Sequence, residues 1–463
     1  MVSLEKVELP SFRGEQESLP ALDVGEYERR LAAVTDRIRD ENLDALVVYA
    51  DREHFANMAY LTGFDPRFEE ALLLLDGRGH RALLVGNECM GYLPNAALAC
   101  RPVLFQDFSL MGQPRGESPP LRRILTDFGI GRSARIGCVG WKYIAQERVG
   151  GPAEAIEIPS YIVDLLRYLV GRHGSVCNAN GILMDPRDGL RVTNCADQIA
   201  RFEYAAVRTS QSVLAVLRNI REGASEEDLS RHLYGGSLPQ SCHPMISFGE
   251  KVARGLSSPS ANRARRGDPF VVAYGLWGAL NCRAGMVAEG PDDLAGPLRD
   301  FYPRFVANYF EIVARWYESV KVGAAGREIF GAVEDARDPR YFTLAVNPGH
   351  YIHLDEWVHS PFSPDSDVVL RSGMALQMDV IPVSAGPFCY TNAEDGIVLA
   401  DEPLRSELAG RHPDTWNRMK ARQAFMRDVL GIRLDEVVLP LGNVPGWLPP
   451  YALDLSQVLV VAG

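Results

Sequence analysis

No run in this sequence approaches the ~20 consecutive apolar residues that cross a bilayer, so a membrane-spanning helix is not expected. Basic residues are in deficit, 48 Lys and Arg against 60 Asp and Glu, for a net charge of −12. Such a charge repels a phosphate backbone, and the one basic stretch is Arg263-Ala264-Arg265-Arg266, so no nucleic acid is expected as a partner. Cysteine is sparse. The eight, at 89, 100, 138, 177, 195, 242, 282 and 389, have neither the C-x-x-C spacing of a zinc site nor the density of a disulfide scaffold. They read as reduced thiols. The opening segment MVSLEKVELPSFRGEQE has no basic n-region and no apolar h-region, so no secretory leader is expected and the chain is placed in the cytoplasm.

What is there begins with length. A single hydrophobic core stops growing near ~250–300 residues, so 463 residues imply two domains. Tyr27, Leu31, Val34 and Ile38 recur at helical spacing and predict a helix ending near Asn42, followed by a buried strand ALVVY at 45–49. The runs at 71–75 and 81–85 flank Asp76-Gly77-Arg78-Gly79 and predict a tight hairpin. Gly, Asn, Asp and Pro interrupt every apolar run between 171 and 195, which reads as a boundary loop. Ile199, Phe202, Ala206, Val213, Leu217 and Ile220 then predict a long amphipathic helix closed at Gly223, with Ser225 and Asp228 as a capping box for the next. The pattern of a helix and then NIREGASEEDLSRHL recurs one hundred residues later as a helix and then SVKVGAAGREIFGAV, with Gly223 and Gly323 at equivalent turns. This suggests two similar halves about a pseudo-two-fold axis. Beyond 411 a further helix leads to a tail rich in Pro and apolar residues, expected to pack on the same domain or across a dimer.

These segments carry a family likeness. The stretch YERRLAAVTDRIRDENLDALVVYADREHFANMAYLTGF resembles the N-terminal domain of the creatinase and prolidase family. REGASEE, SFGEKVARGLSSPSANRARRGDPFVV, NPGHYIHLDEWVH, LRSGMALQMDVIP and NAEDGIVLAD follow the order of that family's catalytic "pita-bread" domain, shared with methionine aminopeptidase. The resemblance covers roughly 26–400. It implies an α/β N-terminal domain at 1–195, an α+β pita-bread catalytic-type domain at 196–463 with pseudo-two-fold duplicated halves, and a homodimer. It also implies a hydrolase of C–N bonds in small molecules or short peptides.

Active members of the peptidase branch hold two divalent ions with two Asp, one His and two Glu, a donor set suited to hard cations that activate one water. The two Asp belong in PFVVAYGLWGALNCRAGMVA, yet no acidic residue lies between Asp268 and Glu289. Ala273 fits the first slot, and Leu280 or Ala284 the second. His350 matches the metal His, Asp379 stands where Glu is usual, and Glu394 matches the last Glu. The expectation is a site with no metal cofactor; if one divalent ion is bound, His350, Asp379 and Glu394 hold it. Creatinase is a metal-free precedent, but its catalytic His aligns with Ser257, so its mechanism does not transfer unchanged.

The densest chemical signal is HYIHLDEWVH, with three of the nine histidines in ten residues. A pKa near 6.5 leaves both forms of imidazole available at neutral pH, so His350 or His359 is expected to move the proton while Asp379 and Glu394 bind a cationic substrate group. His353, Arg283, Trp357 and Tyr274 are expected to contact the substrate. Cys282 and the Cys242-His243 pair raise a weaker covalent reading. The function expected is hydrolysis of a C–N bond in a small amide, amidine or modified amino acid, creatinase-like and without the two-metal centre. The alternatives are an Xaa-Pro dipeptidase or aminopeptidase with a reduced metal site, and a non-catalytic dimeric binding protein of the same fold.

Overall fold

The computed structural model describes residues 1–12, 18–151 and 154–462. The chain divides into two compact units, Leu22–Val192 and a second formed by Met1–Ala21 with Thr193–Gly463. The first strand, β1 (Val2–Lys6), pairs antiparallel with the last, which is why the opening residues belong to the second unit and not to a 1–195 domain. The break expected after 195 falls between Val192 and Thr193.

In the unit Leu22–Val192, helix α1 (Val24–Asp40) buries Tyr27, Leu31, Val34 and Ile38, the stripe their spacing predicts. Asp23 caps it, its carboxylate accepting the Gly25 N–H at 2.6 Å. Strands β2 (Ala45–Ala50), β3 (Ala71–Asp76), β4 (Arg81–Val85), β5 (Arg101–Leu104), β6 (Arg135–Val139) and β7 (Ser175–Asn178) form one sheet in the order β5-β4-β3-β2-β6-β7. Every residue of β2 is buried, so the strand reads as an unbroken apolar run and not as an alternation. Helices α2 (Leu121–Phe128) and α3 (Ser160–Val170) place Ile124, Leu125, Ile162 and Leu166 in one core with Val47 and Leu72. Gly79, at φ +87°, makes the β3–β4 turn, a conformation glycine adopts without strain. The stretch expected to be a boundary loop carries β7 and a helical turn, Gly181–Met184; four-residue elements are too short to leave a periodic signature.

The second unit is built on helix α4 (Ala196–Asn219), the long helix foreseen at 199–220. Its main sheet contains β8 (Cys242–Phe248), β9 (Pro269–Leu276) and β10 (Ala279–Met286). After helix α5 (Leu298–Ser319), β11 (Phe342–Leu344) forms a separate ribbon with β14 (Pro382–Ser384). The main sheet continues with β12 (His350–Tyr351), β13 (Ala375–Asp379) and β15 (Asn392–Leu399), giving the antiparallel order β12-β13-β15-β10-β9-β8. After helix α6 (Pro413–Asp428), β16 (Val438–Pro440) pairs with β15 and β17 (Gln457–Val461) with β1, so the apolar tail packs within this unit.

The two turns whose likeness shows in the sequence share a backbone pattern. Gly223 and Gly323 have φ of +84° and +92°, and their N–H groups donate to Ala264 O at 2.8 Å and Leu370 O at 2.9 Å. Ser225 then bridges to Arg263, and Ala325 to Val369. Ser225 Oγ accepts the Asp228 N–H at 3.1 Å, the cap expected there. Among the described residues no helix is long and apolar enough to cross a membrane.

Candidate active site

In an antiparallel sheet, residues directly opposite one another point to the same face. Asp379 stands opposite Glu394, Glu394 opposite Cys282, and Cys282 opposite Ala273, so one row runs across β13, β15, β10 and β9. His350 stands opposite Gln377, which is two residues from Asp379 and shares its face. Six side chains from five strands therefore meet on one surface of the sheet. Cys282, and neither Leu280 nor Ala284, sits directly between Ala273 and Glu394.

His350 is fully buried, with Asp379 4% and Glu394 6% exposed. Its Nδ1–H donates to Tyr351 O at 3.1 Å, which leaves Nε2 facing the carboxylates. Nε2 lies 3.8 Å from Asp379 Oδ2 and 3.7 Å from Glu394 Oε1. It is also 3.2 Å from Glu356 Oε1, although among the described residues no partner meets it in a hydrogen-bonding direction. Asp379 Oδ1 is likewise buried without a hydrogen bond from any described residue. Gln377 Nε2 donates to Glu394 Oε1 at 3.0 Å and to Leu280 O at 2.8 Å, fixing that carboxylate against β10.

The charges respond to this confinement. Burial opposes an imidazolium, but Glu356 and Glu394 beside it, with Asp379 behind, hold the His350 pKa well above its ordinary 6.5. Burial raises the Asp379 carboxyl well above the usual range and the repulsion of Glu394 adds to it, with His350 acting the other way. Glu394 is raised by burial too, with the neighbouring His350 acting the other way. Protons in such a cluster belong to the group and not to single residues.

Among the described residues, the one group of His, Cys, Asp and Glu close enough to share an ion is His350, Asp379 and Glu394, with ligand atoms within 4.8 Å of one another. A buried, unpaired imidazole nitrogen and a buried, unpaired carboxylate oxygen form a donor set that fits one divalent cation. No family model matches the chain, and no curated protein does. Solved structures do. A prolidase from Thermococcus sibiricus superposes with a TM-score of 0.62 at 17% identity, over 82% of this chain and 96% of its own. An Xaa-Pro dipeptidase from Bacillus anthracis gives 0.61 at 16%, over 81% and 96%. An X-Pro aminopeptidase from Thermotoga maritima gives 0.60 at 16%, over 81% and 95%. The chain has the pita-bread fold of the Xaa-Pro peptidases.

Within that pita-bread fold, the expected site residues are not all brought together. Trp357 is at the site, its ring stacked on His350 with centroids 4.1 Å apart and planes at 19°. His359 is half-buried with Nδ1 3.1 Å from Ser360 O, outside the metal-spaced group. His353 is buried edge-on to Phe202 of α4, ring centroids 5.1 Å apart. Arg283 and Tyr274 each neighbour a row residue in sequence, so alternation turns them to the opposite face. There Arg283 grips Asp395 with bonds of 2.9 and 2.8 Å and donates to Glu394 O at 3.3 Å. It holds β15 from the face opposite the His350 cluster. Tyr274, opposite Asn281, shares the face on which Asn281 meets Thr209 of α4. The covalent reading loses support, since burial pushes the Cys242 thiol up to about 12 and Cys282 well above its ordinary value.

Glu356 and Gln377 were not foreseen as site residues. The HYIHLDEWVH cluster contains Glu356, but only the turn that carries it back over β12 brings it to Nε2. The strand that this turn folds over starts just after Gly349, at φ +106°, where an added Cβ would lie 2.6 Å from Gln377 O. Gly349→Ala should therefore cost about 1–3 kcal/mol in urea denaturation and lower activity with it, because the strain falls on the residue before His350.

Proposed function

We propose that this chain hydrolyses a C–N bond in a small amide, amidine or modified amino acid, without the two-metal centre of the peptidases whose fold it has. The observation that carries the reading is the row across the sheet. Alanine and cysteine stand at 273 and 282, while His350, Asp379 and Glu394 remain clustered beside them. Two ions need bridging carboxylates on both sides; with no acidic residue from 269 to 288, two are not accommodated. In the proposed mechanism His350 Nε2 takes a proton from water, the hydroxide adds to the amide or amidine carbon, and the imidazolium returns the proton to the departing nitrogen. Asp379 and Glu394 hold a cationic group of the substrate against the imidazole.

The second reading is an Xaa-Pro dipeptidase or aminopeptidase with one ion on His350, Asp379 and Glu394. The unpaired Nε2 and Oδ1 favour it. A divalent ion there would supply Lewis-acid polarisation of the scissile carbonyl. Gln377 would hold Glu394 in place, and Glu356 would lie at the margin. We infer from the matching turns at Gly223 and Gly323 that the second unit arose by duplication, and from the family likeness that the protein works as a homodimer.

Elemental analysis of the purified protein, with a Gly-Pro cleavage assay before and after chelation, separates these readings. The expected outcome is substoichiometric metal and no Gly-Pro cleavage, with turnover found on small amides or amidines. Near-stoichiometric metal with chelator-sensitive cleavage would install the second reading. If neither dipeptides nor any small amide or amidine is cleaved, a binding protein is left.

A further inference from the structure

Three carboxylates, not two, surround the His350 imidazole. The third belongs to Glu356, which the sheet does not carry. The strand β12 ends after two residues and the chain doubles back: Val358 N–H donates to Tyr351 O at 3.1 Å, and Tyr351 N–H to His359 O at 2.8 Å. Inside that reversal His353 N–H donates to Asp355 O at 3.1 Å. The result is that Glu356 Oε1 comes to 3.2 Å from Nε2 and Trp357 lies flat on the ring. Glu356 keeps 25% of its side chain exposed and Trp357 is 39% exposed, so this turn is the solvent edge of an otherwise buried cluster.

Three acidic groups around one imidazole offer more oxygen donors than the imidazole alone can satisfy. Buried polar atoms left without a partner are costly unless a donor or a cation meets them. Meanwhile, on the side of Glu394 away from Asp379, the sheet carries no anionic side chain, Cys282 and then Ala273 standing there. The unpaired Nε2 and Asp379 Oδ1 leave room for a further partner between the carboxylates.

We propose that Glu356 is the third carboxylate of a pocket for one small cation, bounded by His350, Asp379 and Glu394 and roofed by the indole of Trp357. The proposal rests on the reading that this cluster is the working site. Two sources share the chemistry. A divalent ion takes carboxylate oxygens and an imidazole nitrogen. A planar amidinium takes the same carboxylates through its N–H donors and gains from the indole face.

The test is calorimetric titration of the intact protein with Mn2+ and, separately, with acetamidinium. The wild type should bind one equivalent of one of the two. Glu356→Gln, isosteric and at the solvent edge, should weaken that binding about 10- to 100-fold with an unchanged melt, and Glu356→Asp should recover part of it. Trp357→Leu distinguishes the sources, because it should weaken acetamidinium and leave Mn2+ unaffected. Wild-type affinity in Glu356→Gln, or a wild type that binds neither cation, would overturn the proposal. Its failure is separable from that of the hydrolase reading: cleavage of a C–N bond with unaltered cation binding in Glu356→Gln sinks only this inference. Weakened binding with no cleavable substrate sinks only the other.

Discussion

His350→Ala should abolish turnover while the protein still melts cooperatively. Among the described residues, His350 is the imidazole of the group in which ligand atoms approach within 4.8 Å, and it is the side chain that faces both Asp379 and Glu394. Losing a positioned acid–base group costs about 10²–10⁴ in rate, and no neighbouring imidazole substitutes. His353 is turned to Phe202, and His359 lies outside the metal-spaced group, so His359→Ala should retain turnover. The pH profile supplies a signature that a packing defect would not. Acting as a base, His350 must first lose a proton, and its neighbours hold its pKa well above 6.5. The rate should therefore rise with pH along a limb above 6.5. A bound cation offsets the carboxylates and moves that limb down. Measuring kcat/KM across pH, with and without added Mn2+, reads both effects; a limb at or below 6.5 in the cation-free protein would exclude His350 as the base.

How far the site could be read from the sequence depends on the range of the pairing involved. His350, Asp379 and Glu394 were legible because each lies in its own ordered motif, and the absence of acid from 269 to 288 needed no alignment. That Cys282 stands between Ala273 and Glu394 was not legible, because it depends on β10 meeting β15 across helix α5 and the ribbon of β11 and β14. A register set by such non-local pairing leaves no local trace. Arg283 and Tyr274 are a different case. Ala273 and Tyr274 are adjacent on one strand and cannot share a face, so period-two alternation already argued against placing both at the site. Glu356 escaped for a third reason: the bend after Tyr351, and no strand or helix period, carries it to Nε2. The first unit was the more legible, since α1 and the β3–β4 hairpin are local and its apolar runs are fully buried.

The largest loss of stability should come from a residue far from the chemistry. Glu203 on α4 is completely buried and is the counter-charge for two buried arginines of α6. Arg418 donates to its carboxylate at 2.8 and 2.7 Å, and Arg422 Nη1 lies 2.7 Å from Oε1. Arg422 also donates to Asn443 Oδ1 at 2.6 and 3.1 Å. Burial lowers the Arg422 pKa and the repulsion of Arg418 adds to this, while Glu203 acts the other way as the counter-charge of both guanidinium groups. Glu203→Gln preserves shape and removes that charge. Breaking a buried ion pair from one side costs about 3–5 kcal/mol, because the remaining partners stay buried and uncompensated. Urea denaturation should show this loss, whereas a variant in which all three residues become apolar at matched volume should recover most of it. The consequence reaches the site through α4. Thr209 on the same helix donates to Asn281 at 2.6 Å, and Asn281 donates to Asp395, the carboxylate that Arg283 holds behind Glu394. Loosening α4 therefore loosens the back of β15, and Glu203→Gln should lower kcat at temperatures where the protein is still folded. Unchanged kcat alongside the full loss of stability would show that the sheet holds Glu394 in place without the helix behind it.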